Sequence, residues 1–154
     1  MREAAKLIIC SFGSSFGLGI LFQIRKEYLI YAGLGGALTR FVYLLLLQCT
    51  GESFIYNFFA AMAAALFAEC MAVYTKNPST VFLYPSIIPL IPGKSLYYTV
   101  IGLVLQNNAL IGENIMLCFH SLAGLGIGFV IISIFMHYQR IYRRIQKRRQ
   151  QMHK

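Results

Sequence analysis

The stretch Tyr84–Ser95, YPSIIPLIPGKS, places three prolines and a glycine within nine positions, Pro85 to Gly93, in one of the most apolar parts of the chain. A proline inside a helix removes a backbone donor and clashes with the preceding turn. Neither flank can cross a bilayer alone, since Thr80 to Pro92 is 13 residues and Lys94 to Leu105 is 12, against the ~20 that a span requires. Together they predict one crossing broken near Pro92-Gly93, or a re-entrant hairpin. In a helix, Pro85, Pro89 and Pro92 deprive the carbonyls of Val81, Pro85 and Ile88 of their usual partners. At membrane depth such carbonyls are tolerated where protein, ordered water or a lined cavity satisfies them.

The rest of the chain supports a membrane setting. Of 154 residues, 58% are hydrophobic and only 12% charged, with a mean hydropathy of +0.63. A soluble domain has roughly a quarter of its residues charged. Too few polar side chains remain to cover a soluble core of this size. We expect an all-α polytopic membrane protein with about five transmembrane helices, at about 7–24, 28–48, 53–74, 80–105 and 115–136. The polar stretch QNNALIGEN separates the last two. Residues 1–139 then form a membrane domain, and 140–154 a basic tail. The first stretch is long for a signal peptide and lacks an A-x-A-like cleavage site.

Charge placement sets an orientation. The tail holds seven of the 14 Lys and Arg residues, which puts it in the cytoplasm by the positive-inside rule. Counting back places Lys76, Arg25 and Lys26 inside, and Glu52, Glu113 and the amino terminus outside; Arg2 and Lys6 pull mildly the other way. The tail reads as a topology anchor that touches anionic lipid, in preference to a nucleic-acid-binding segment. The four cysteines are scattered singly, with no CxxC or zinc spacing, so neither a metal site nor a cofactor is expected.

A few residues stand out against the apolar background. Arg40 lies eight residues before the end of its segment, about 12 Å deep at 1.5 Å per residue. Ionisable groups at that depth usually face an interior or an aqueous path, although a snorkelling arginine that sets helix depth is the plainer reading. Glu69 is the one acid well inside a segment, with a proton-carrying and a structural pairing role both open. The half-helix beginning at Lys94 and Ser95 can point its positive end at an anion. Gly13 with Gly17, Gly33 with Gly36, and Gly124 with Gly128 are candidates for close helix packing. His120 and Ser121 sit near the outer end of the fifth segment. GKS is not a Walker A loop, because Ile88 stands where the first glycine is needed. No HExxH, paired carboxylates or GxSxG occurs, which argues against an enzyme.

The segment PSTVFLYPSIIPLIPGKSLYYTVIG, with Pro85, Pro89, Pro92, Gly93 and Tyr97 or Tyr98, resembles the proline-rich segment of the threonine/serine exporter family. FGLGILFQIRKE, GGALTRFVY and SLAGLGIGFV extend the likeness along the chain, which looks like a short subunit similar to the carboxy-terminal membrane domain of full-length exporters. Arg40 and the Pro85–Gly93 break match family positions; Lys94 and Glu69 do not. The resemblance implies proton-driven export of threonine, serine or similar small amino acids across a prokaryotic plasma (inner) membrane. It also implies a separately encoded longer membrane subunit, with self-association left open. An accessory subunit that stabilises a partner without touching substrate is the competing expectation.

Overall fold

A computed structural model describes the backbone of residues 2–49 and 53–152, without the side chains of Arg2, Ser53, His137, Arg140, Ile141 and residues 143–152. Glu52 and most of the basic tail's side chains, invoked above for orientation and lipid contact, lie outside that description. The fold is all-α. Helices α1 (Arg2–Leu21), α2 (Lys26–Cys49) and α3 (Ser53–Thr75) lead into the proline segment. There α4 (Thr80–Ile87) passes into a 3-10 turn (Ile88–Leu90), and α5 (Gly93–Val104) and α6 (Asn108–Met152) follow. Four helices are long and apolar enough to cross a membrane, and α4 with α5 makes a fifth span if the bent pair is counted as one.

The break follows from proline chemistry. A residue before proline is pushed out of the helical region by the pyrrolidine ring. Ile91 accordingly adopts φ −60°, ψ 127°, and the chain restarts as a helix at Gly93 with Pro92 as its cap. The axis turns by 55° across the break. Pro85 is accommodated inside α4.

Helix ends elsewhere close by local hydrogen bonding. Gln23 and Gln106 take left-handed conformations, with φ 54° and 53°. The amides that follow them reach back, Ile24 to the Gly19 carbonyl at 3.0 Å and Asn107 to the Gly102 carbonyl at 2.9 Å, the pattern that satisfies the last carbonyls of a helix. One boundary differs from expectation. QNNALIGEN is mostly helix, because the Asn107 side-chain oxygen accepts the Leu110 amide at 3.2 Å and starts α6 at Asn108. From there α6 runs without interruption through the fifth apolar segment and on to Met152.

Helix α3 is the core of the bundle. Its alanines recur every four residues, at 60, 64, 68 and 72, with 61 and 65 beside them, and all six are buried. Four-residue spacing keeps them on one face. One part of that face packs with Phe82, Leu83 and Ile132, the other with Leu90 and Leu125. The closest approach is to α6: a Cβ added to Gly124 would lie 2.6 Å from the Phe54 carbonyl oxygen, and one at Gly128 2.5 Å from that of Phe58. Between α1 and α2, Gly33 accommodates the Phe12 ring and Gly36 lies against Ser15. Gly13 and Gly17 depart from the expected packing role, since nothing lies within 4 Å of a Cβ at either. They face away from the neighbours of α1.

Candidate functional site

The 55° bend opens a cavity of about 610 Å³ between the break and the surrounding helices. Pro89 to Ser95 form one wall. Helix α1 adds Leu7, Cys10, Ser11 and Ser14; α2 adds Arg40 and Tyr43; α3 adds Tyr56 and Asn57; and α6 adds Leu117 and Ser121. That size suits a small organic ligand.

Of the cations at this cavity, Arg40 is more buried than Lys94. Its guanidinium carbon sits 4.7 Å from the centre of the Tyr43 ring, a favourable cation–π distance. Nη1 reaches the Pro89 carbonyl oxygen at 3.5 Å, a long contact. Nε is buried, and among the described residues no acceptor meets it. A buried donor of a permanently charged group is costly when left without an acceptor, so this Nε is a donor on the wall that an oxygen of a bound molecule could satisfy. Tyr43 in turn meets Tyr56 edge-on, with ring centres 4.8 Å apart.

The start of α5 faces the same space. Its first amides have no acceptor within the helix, and no side chain caps it. The Gly93 amide bonds the Ile91 carbonyl at 2.7 Å and the Leu96 amide bonds that of Pro92 at 3.1 Å. Lys94 and Ser95, between them, line the cavity. The geometry therefore gathers Arg40, Pro89, Pro92, Gly93, Lys94 and Ser95 around one volume.

Two of the anticipated carbonyls are used elsewhere. The Ser15 hydroxyl donates to the Pro85 carbonyl at 2.7 Å, and the Ile91 amide donates to the Ile88 carbonyl at 3.1 Å. Pro85 is fully buried and does not line the cavity. The break carbonyl that faces Arg40 is instead that of Pro89. Its usual helical partner would be the Gly93 amide, which has turned to Ile91. Glu69, partly buried on α3, is not part of the cavity wall, nor is the exposed His120.

Sequence reasoning passed over Tyr43, Tyr56 and Asn57. Tyr43 is three residues after Arg40, a spacing that brings side chains together on a helix. Asn57, in FIYNFFAA, is a lone amide in an apolar run and only 2% exposed. Both signals were present in the sequence. Among the described residues, no cluster of three or more His, Cys, Asp or Glu side chains is arranged to hold a metal.

The family model described as Threonine/Serine exporter, ThrE, matches residues 7–135, which spans the break and every wall of the cavity. The chain belongs to the threonine/serine exporter family. No curated protein and no solved structure gives a significant match. For a threonine/serine exporter the donor set is chemically apt: a guanidinium and an uncapped helix start suit a carboxylate, while hydroxyls of Ser11, Ser14 and Ser121 can meet a small polar side chain.

Proposed function

We propose that this chain is the membrane half of a secondary exporter of threonine, serine or similar small amino acids, and that the cavity at the break is its substrate site. The observation that carries this reading is the buried, unmet Nε of Arg40 beside the uncapped start of α5. The substrate carboxylate would accept from Arg40 and from the amides at Lys94 and Ser95, with the positive end of the α5 dipole adding to the attraction. The carbonyl oxygens of Pro89 and Asn57, both on the cavity wall, would receive the ammonium group.

In this reading α4 and α5 form one bent span, giving five in all, with the amino terminus outside and the basic tail in the cytoplasm against anionic lipid. Among the described residues, the lining carries no carboxylate. A separate, longer membrane subunit would close the open side of the cavity.

The test is radiolabelled threonine and serine flux in proteoliposomes under an imposed proton gradient, with this chain alone and with its longer partner. Gradient-dependent flux that needs both chains and is lost in Arg40→Ala at equal protein level is the expected outcome. Absence of flux from a verified complex would overturn the substrate assignment. The accessory role is favoured by the open faces of Gly13 and Gly17, which offer a neighbouring helix close approach. It predicts that disrupting Pro89–Gly93 dissolves the complex, whereas a substrate site predicts lost flux with the complex intact.

A further inference from the structure

The hydrogen bond from Ser15 to Pro85 crosses from α1 to α4 and joins two residues that are both fully buried. In an unbroken helix the Pro85 carbonyl would accept from the amide of residue 89, but residue 89 is proline and has none. The donor that α4 lacks is thus supplied by a side chain 70 positions away. Gly36 of α2 closes the same point, since a Cβ there would collide with the Ser15 side chain and come within 3.1 Å of the Ser11 carbonyl oxygen. Three elements therefore meet where one hydroxyl does the work of a missing amide.

Four residues along each element, about one helical turn, stand the cavity residues. Ser15 steps to Ser11, Gly36 to Arg40, and Pro85 to Pro89, all three of them on the cavity wall. The direction is opposite on α1, as expected for a neighbour running antiparallel to α2 and α4. The lower layer is buried; the upper layer is the candidate site.

We propose that Ser15 is a positioning residue: by substituting for the amide that Pro89 lacks, it fixes the height of the Pro89 carbonyl against Arg40. This rests on the substrate-site reading above for its functional meaning, though not for its geometry. Ser15 touches no substrate. It acts through the break.

The experiment is a double-mutant cycle in the full chain, purified with any co-purifying subunit, using Ser15→Ala, Pro89→Ala and both together. Ser15→Ala is expected to lower the Tm by roughly 3 °C, the effect of one membrane hydrogen bond in a chain of this size. With Pro89→Ala an amide is available again at residue 89, so adding Ser15→Ala should cost less than half as much. Equal losses in the two backgrounds would overturn the proposal. Ser15→Cys, a weaker donor of similar shape, should fall between serine and alanine and guards against a variant that fails to fold.

Position is read separately. In threonine flux, Ser15→Ala should raise the half-saturating concentration about fivefold with maximal flux retained; an unchanged value would overturn the positioning role. If the parent protein moves no threonine, the export reading falls, and alkylation of Cys10 decides in its place. Cys10 lines the cavity. With the other three cysteines replaced by serine, Ser15→Ala should change its alkylation rate at least twofold, and an identical rate would overturn the proposal.

Discussion

The seam between α3 and α6 and the wall of the cavity are built from opposite materials. Along the seam, Gly124 and Gly128 let α6 approach the Phe54 and Phe58 backbone so closely that no Cβ fits. On the wall, a long charged side chain, two tyrosines and an amide stand around a space of about 610 Å³. In lipid, helices gain little from hydrophobic burial against one another, so a tight seam depends on backbone contact between small residues. A hollow containing a charge is stable only if the surrounding bundle is fixed. The contrast indicates that the tightly packed seam supports the hollow wall.

The largest effect is expected where the seam is filled. Gly128→Leu would push a side chain into the Phe58 backbone and should cost at least about 3 kcal/mol, leaving little folded protein by size-exclusion and thermal assays. A well-folded Gly128→Leu protein would remove the seam from one side of the comparison. Next comes the wall. Arg40→Ala should cut threonine flux by about tenfold to a hundredfold at equal protein level, with Tm changed little, the usual range for losing a hydrogen bond to a charged group.

Lys94 tests how far the anionic character of the site extends. It is exposed at the cavity rim, so Lys94→Gln should raise the half-saturating threonine concentration only about threefold, measured by the same flux assay. The smallest effect is predicted at the open glycines. Gly13→Ala, with no neighbour within 4 Å of its Cβ, should shift stability of this chain by no more than about 0.5 kcal/mol in either direction. A marked loss of assembly with a partner at unchanged stability would show that another helix lies on that face, and would sharpen the comparison to a third kind of surface.

The sequence made the break legible because proline acts locally. Pro92 constrains Ile91 whatever surrounds it, and the short flanks follow from counting residues. The alanine and glycine faces of α3 and α6 were legible for the same reason, being set by helical spacing alone. What lay beyond reach was tertiary. Whether Gly13 or Gly124 meets a neighbour depends on how each helix is rotated, which identical GxxxG spacing does not encode. The fate of the Pro85 carbonyl required knowing that Ser15, 70 residues earlier, comes beside it. Arg40 was identifiable by depth and Tyr43 by its spacing on the same helix, but Tyr56 and Asn57 join them through the packing of α2 on α3. The start of α6 was missed because a polar stretch resembled a loop, although Asn107 is a good helix cap.

Helix α6 also has a mechanical consequence. Its 45 residues form a continuous rod of about 68 Å at 1.5 Å per residue, more than twice a hydrocarbon core of about 30 Å. Ser121 is on the cavity wall, and Met152 lies about 46 Å farther along the same axis. If the rod tilts as one body by about 5° around Ser121, its far end sweeps roughly 4 Å. A change at the wall too small to resolve would become a displacement that a spin label or fluorophore near the carboxy terminus can register. A tilt of α6 about its contact with the cavity would thus be read most readily from a probe near its carboxy-terminal end.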